Sequence, residues 1–286
     1  MIAVDFGNTR VKFGFFRNIN NNKTVPEPDS VFAVDSLLAV ESFGFEAIMN
    51  WLDGLGEEPE PTTWFIAQTG NFLWQKLQEK LTNIRPHDRF ERISYKDIPI
   101  SIDVEFPEKL GLDRLLSVYA AFRWRTLNTT CLEKETRILV VDAGSAITID
   151  LLAGEGYFAG GAILPGLNAM AESLTGISSQ LPRVAANEIS FAIYPGKNTE
   201  EAIISGIYWG AVGAIRQFHQ LVQTTLRDAG LPNRVPIFLV GGDAKHLQIG
   251  LSLFVESENL FLFPDLVLSG IALAVQNQLV ASANNK

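Results

Sequence analysis

Val140-Val141-Asp142-Ala143-Gly144-Ser145-Ala146 repeats the pattern of Ala3-Val4-Asp5-Phe6-Gly7-Asn8-Thr9, 137 residues further along (142 − 5). Both read apolar, apolar, aspartate, any residue, glycine, small polar, small. In each copy the apolar run reads as a buried strand ending at the aspartate, and the glycine permits a sharp turn. A second apolar stretch follows each turn, Val11 to Phe16 in the first copy and Ile147 to Leu152 in the second. The offset is close to half of the 286-residue chain. A repeat of that period is a duplicated domain rather than a short solenoid unit.

Working outward, a third strand-to-loop turn is read at Ile237-Phe238-Leu239-Val240-Gly241-Gly242-Asp243, flanked by helical stretches at 200–225 and 266–279. Helices are also expected over 36–53, over 71–81 and from Gly111 to about Trp124, with strands over 63–67 and 98–106. Strand-turn-strand units followed by helices are α/β layers. Polar residues at 127–136 separate the halves, so the expected domains are 1–126 and 127–286.

Each Asp-x-Gly turn sets a carboxylate at a strand end beside free amides and small donors such as Asn8 and Thr9. Amides and hydroxyls suit phosphate oxygens, and a carboxylate suits a hydrated Mg²⁺. One such turn is also ordinary hairpin chemistry. Two, half a chain apart, fit a nucleotide held between related domains. Gly241-Gly242-Asp243 would admit a bulky ligand close to the backbone, or serve as a simple αβ turn. Gly160 to Gly166 reads as a tight connection beside the cleft. Asp113-Arg114 offers a base next to a cation, and also matches the preference for acids at helix starts. In Asn198-Thr199-Glu200-Glu201, Thr199 reads as a helix cap before it reads as a ligand.

Composition excludes several classes. The chain is 47% hydrophobic and carries a net charge of −9, so it has core to bury and lacks the basic field of a nucleic-acid binder. A single cysteine, Cys131, excludes an intramolecular disulfide and a Cys-rich metal site. His87, His219 and His246 show no metal-ligand spacing. Asp5 and the absence of basic residues before it do not make a secretory signal. The most apolar run, Leu266 to Val275, is about half a membrane span. The expected protein is cytoplasmic, without membrane or nucleic acid as partner.

Taken in order, Asp5-Phe6-Gly7-Asn8-Thr9, Gly111-Leu112-Asp113-Arg114, Asp142-Ala143-Gly144-Ser145-Ala146, Gly160 to Gly166, and Asn198-Thr199 with Ala202-Ile203 and Ser205-Gly206 resemble type III pantothenate kinase. That family belongs to the acetate and sugar kinases and actin-like ATPases. The resemblance implies duplicated actin-like (ribonuclease H-like) domains, each a mixed sheet flanked by helices, with ATP in the cleft and a homodimer. The activity it implies is phosphorylation of pantothenate to 4′-phosphopantothenate. Asp5, Phe6, Gly7, Asn8, Thr9, Arg10, Val11 and Lys12 then match the first phosphate motif, with Asp5 toward magnesium. Asp142 matches the holder of a monovalent cation (K⁺ or NH₄⁺), and Ser145 stands at an ATP-contacting position usually held by Thr. Gly241, Gly242 and Asp243 are assigned to ATP. Gly111, Leu112, Asp113, Arg114 and Thr199 match the pantothenate site, with Asp113 as proton acceptor. Val104 stands where many members carry a substrate-contacting Tyr. Two other readings stay open: a kinase of the same superfamily with another acceptor, and a regulatory homologue without catalysis.

Overall fold

The computed structural model describes residues 1–7, 9–19, 24–56, 61–68, 72–177, 180–185 and 193–284. The chain forms two compact units, one of residues 1–100, 105–127 and 265–286, the other of residues 101–104 and 128–264. In the first, β1 (Ile2–Phe6), β2 (Arg10–Phe15) and β3 (Ser30–Asp35) run antiparallel. After α1 (Ser42–Asp53), β4 (Thr63–Gln68) returns parallel to β1; α2 (Phe72–Ile84) then leads to β5 (Arg89–Arg92), parallel to β4. A short β6 (Ser101–Ile102) and α3 (Leu112–Leu127) precede the second hairpin.

That hairpin is β7 (Ile138–Ala143) and β8 (Ala146–Leu152), with β9 (Tyr157–Pro165) antiparallel beyond it. Helices α4 (Leu167–Ile177) and α5 (Thr199–Asp228) follow. Then come β10 (Ile237–Val240), α6 (Ala244–Leu251), β11 (Leu260–Leu262) and α7 (Leu266–Asn284). β10 lies parallel to β7, and β11 parallel to β10. The first sheet has the order β3-β2-β1-β4-β5, and the second β9-β8-β7-β10-β11 with β6 added beside β9. The two orders and strand senses are the same. The duplication is therefore written in the hydrogen-bond ladders themselves.

The first core stacks Ile2, Val4 and Phe6 of β1 with Val11 and Phe13 of β2 against Trp64, Trp74 and Leu77. The second packs Leu139, Val141 and Ile149 against Tyr208, Val212 and Ile215 of α5. Residues 266–276 of α7 are buried without a break, which is why its sequence shows no polar face. That helix belongs to the first unit, where it packs on α3 and β1. No helix among the described residues is long and apolar enough to cross a membrane.

Three expectations about local structure are corrected. The helix expected over 36–53 begins at Ser42, because the Asp35 carboxylate accepts the N–H groups of Leu37 (2.8 Å) and Leu38 (3.3 Å) and turns the chain first. The strand expected over 98–106 shrinks to Ser101–Ile102, between 3₁₀ turns at Tyr95–Asp97 and Pro107–Lys109. Residues 160–165, expected to be a tight connection, are the second half of β9.

A buried carboxylate clamps β4 and β5. Asp88 accepts from Thr62 N (2.9 Å), Trp64 Nε1 (2.8 Å) and Arg85 Nε (2.5 Å). Burial alone would raise its pKa; the donors and the Arg85 charge outweigh that and hold it below the ordinary aspartate value. Its contribution is present above the unfolded-state pKa and lost as the pH falls through the lower folded value. Asp88→Ala is expected to cost about 3 kcal/mol at neutral pH, since a charged acceptor is removed from buried donors. Denaturation of both proteins checks this: the gap in stability should narrow below the aspartate range and stay constant above it.

Candidate active site

Strand alternation puts Ile2, Val4 and Phe6 into the first core and leaves Ala3 and Asp5 on the opposite face. Ala3 pairs with Gly14, and a methyl group on Gly14 would lie 2.9 Å from Leu268 Cδ1 of α7. That face is therefore the one α7 covers, and it needs small residues to do so. Two positions along, Asp5 pairs with Lys12 on the same face. The Lys12 Nζ lies 3.2 Å from Asp265 Oδ1, just ahead of α7. The strand end thus gathers Asp5, Lys12 and Asp265, the last of which was not singled out in the sequence.

Between the strands the turn is closed by Gly7 N–H donating to Arg10 O at 3.0 Å. Thr9 and Arg10 are exposed, Phe6 and Val11 buried; these two apolar residues anchor the turn rather than line its surface. Asn8 lies outside the described residues. Ser36, at the end of β3, donates from its hydroxyl to Gly7 O at 2.8 Å. It too was missed, for it carries no motif.

Asp113 stands in the first turn of α3, half-buried beside Leu112 and Arg114. A methyl group on Gly111 would sit 2.5 Å from Asp113 Oδ1 and 3.6 Å from Arg114 Cδ. The carboxylate therefore folds back over Gly111, and the motif's glycine makes room for it.

In the second unit, Asp142 is the penultimate residue of β7 and Gly144 N–H donates to Ala146 O at 3.0 Å, closing the turn as Gly7 does in the first. Two chain segments converge on it. Gly166 N–H donates to Ser145 O (3.1 Å), Asp243 N–H donates to Ala143 O (3.0 Å), and β10 delivers Gly241 beside Asp142. Gly241 has φ +90°, and a methyl group there would press on Asp142 Oδ1 and Ala143 O. The glycine expected to admit a ligand thus admits a neighbouring strand end. A carboxylate and a carbonyl oxygen lie side by side at this turn, hard oxygen donors of the kind a cation takes. Ser145 and Gly242 remain exposed around it.

Thr199 is not the cap of α5. Asn198 is, its side chain accepting from Glu201 N at 2.9 Å, while Glu201 returns to Lys197 N at 2.6 Å. Thr199 is the first helical residue and exposed, so capping makes no claim on its hydroxyl. Val104 lies by Gly160, whose φ is +92°, with its Cγ1 4.0 Å from where a methyl group would be. Among the described residues no cluster of three or more His, Cys, Asp or Glu could hold a metal by itself. A divalent ion here would need phosphate oxygens and water to complete its shell, the usual habit of Mg²⁺.

A family model described as type III pantothenate kinase matches residues 1–221. The type III pantothenate kinase of Persephonella marina is 25% identical over 261 residues, which are 88% of this chain and 91% of that one. That of Chlorobaculum tepidum is 28% identical over 245 residues, 85% and 83% of the two chains. Among solved structures, a Campylobacter jejuni protein assigned to the Baf family of transcriptional activators aligns over 98% of this chain and all of its own. Its TM-score is 0.56 at 20% identity, a likeness of fold.

Proposed function

The chain belongs to the type III pantothenate kinase family, and from that premise we propose how its residues divide the work. It is a kinase that phosphorylates pantothenate with ATP and a divalent metal, the first step toward coenzyme A. The observation that carries the division of labour is the pair of aspartate turns ending equivalent strands, β1 and β7, of two identically ordered sheets.

Phosphoryl transfer proceeds through a loose transition state, so the protein's task is positioning and charge neutralisation. Asp5 would hold the divalent ion, and Lys12, Thr9 and the amides of the Gly7 turn would engage phosphate oxygens. When bound with ATP, Mg²⁺ supplies neutralisation of the phosphate charge. Ser145 would contact ATP through its hydroxyl, with Gly242 and Asp243 nearby on their exposed turn. Asp142, with Ala143 O, would hold a monovalent cation. Asp113 would accept a hydrogen bond from the primary hydroxyl of pantothenate and take its proton late in the transfer. Arg114 and Thr199 would orient that substrate, and the aliphatic Val104 would leave a phenol contact of many relatives unfilled.

We also assign a homodimer in the cytoplasm. Gly206, Gly210 and Gly213 line one exposed stripe of α5 with nothing within 4 Å of where their side chains would begin. Small residues at that spacing let a second helix approach closely, and sedimentation analysis would report the dimer.

The test is incubation with ATP, Mg²⁺ and pantothenate, with and without K⁺, following ADP and phosphopantothenate. Potassium-dependent product is expected, and Asp142→Ala should abolish the dependence. Product indifferent to K⁺ would remove the cation from Asp142. No pantothenate-dependent turnover would count against the acceptor.

A further inference from the structure

We infer that Ser36 is a positioning residue for nucleotide binding, holding the first aspartate turn in its working shape from the neighbouring strand. The inference rests on the assignment of that turn to the nucleotide.

The argument begins at Asp35. Its carboxylate takes the N–H groups of Leu37 and Leu38, so β3 stops there and the backbone folds over. The residue at the fold, Ser36, is fully buried. A buried hydroxyl needs a partner, and here it finds the turn: Oγ donates to Gly7 O at 2.8 Å, while Ser36 N–H donates to Thr9 O at 3.0 Å. One residue thus ties carbonyls on both sides of the turn.

Across the turn itself, Gly7 N–H donates to Arg10 O. Gly7 offers no side chain to stiffen it, and a methyl group there would crowd Arg10 O at 3.0 Å. Freedom that a glycine brings to a turn has to be removed from outside if the turn is to meet phosphate oxygens in one geometry. Ser36 supplies that restraint without occupying any surface a ligand could touch. Its effect should therefore fall on nucleotide affinity, with acceptor affinity left alone.

Steady-state kinetics of Ser36→Ala test this, with Asp5→Ala and Asp88→Ala alongside. Ser36→Ala is expected to raise KM for MgATP about five-fold, the loss of one hydrogen bond's restraint, with KM for pantothenate unchanged. Asp88→Ala is expected to lower thermal stability of the same unit and to leave both KM values alone, so that a shift in Ser36→Ala is not general loosening. Should Ser36→Ala fail to fold, Ser36→Cys keeps the branching with a larger atom and a weaker donor, and is expected to raise the same constant. An unchanged KM for MgATP in the Ser36 variant, with a raised one in Asp5→Ala, would make Ser36 purely structural. If Asp5→Ala also binds MgATP normally, the nucleotide assignment of the turn fails, and this inference with it.

Discussion

Asp113→Asn is expected to lower kcat about 10³-fold, the usual scale for losing a positioned base, while the affinity for MgATP stays within about two-fold. The substitution keeps the shape but removes the charge and the ability to take a proton, and turns one acceptor oxygen into an NH₂ donor. The carboxylate's position is set by an adjacent absence: with Gly111 lacking a side chain, Asp113 Oδ1 occupies the space 2.5 Å from where a methyl group would begin. Gly111→Ala should therefore keep the fold and displace the carboxylate, because the nearest atom is the end of a side chain rather than backbone. A fall in kcat of about ten-fold or more is expected there, the penalty for a misplaced reacting group. Near-wild-type turnover in Asp113→Asn would remove the base; normal turnover in Gly111→Ala would show that its position is not critical.

These two residues were legible in the sequence because their meaning is local. Gly111 and Asp113 are two residues apart, and each aspartate turn is complete within seven. The duplication was legible for the same reason: β1 with β2, and β7 with β8, are hairpins whose alternation repeats on the scale of a few residues. β3 was not, although Ser30–Asp35 alternates cleanly between half-buried and exposed. Its half-buried positions are Ser30, Phe32 and Val34, and the exposed ones include Val31 and Ala33, so its hydropathy hardly alternates.

What escaped is long-range. Lys12 meets Asp265 across 253 residues, and Ser36 meets Gly7 across 29. No periodicity encodes either contact, since each depends on which helix or strand end the fold brings to the turn. The final helix illustrates the same limit. Its unbroken apolar run predicts burial, but its partners, β1 and α3, are decided by shape: Ala3 and Gly14 on the sheet, and Gly270, whose missing side chain admits the Leu116 backbone. Glycine in a sequence announces a need for space without saying what will fill it.

Gly241 shows how much depends on that distinction. Gly241→Ala is expected to destabilise the second unit by about 4 kcal/mol, the sum of left-handed backbone strain and overpacking. The obstacles are rigid: a methyl group there would lie 2.7 Å from the Ala143 carbonyl carbon, and the residue's φ is +90°. The melting temperature should fall by about 10 °C. Gly176→Ala, in α4 with open space where its side chain would begin, should instead stabilise slightly, by about 0.5–1 kcal/mol. Opposite signs for one chemical change would tie the loss to the site rather than to the substitution. The methyl group would also enter the space lined by Asp142 Oδ1 and Ala143 O. Molecules of Gly241→Ala that remain folded should need more K⁺ for half-maximal activity, with the Gly176 variant as control. A destabilised Gly241→Ala with unchanged K⁺ activation would keep the glycine as a packing necessity and move the cation away from Asp142.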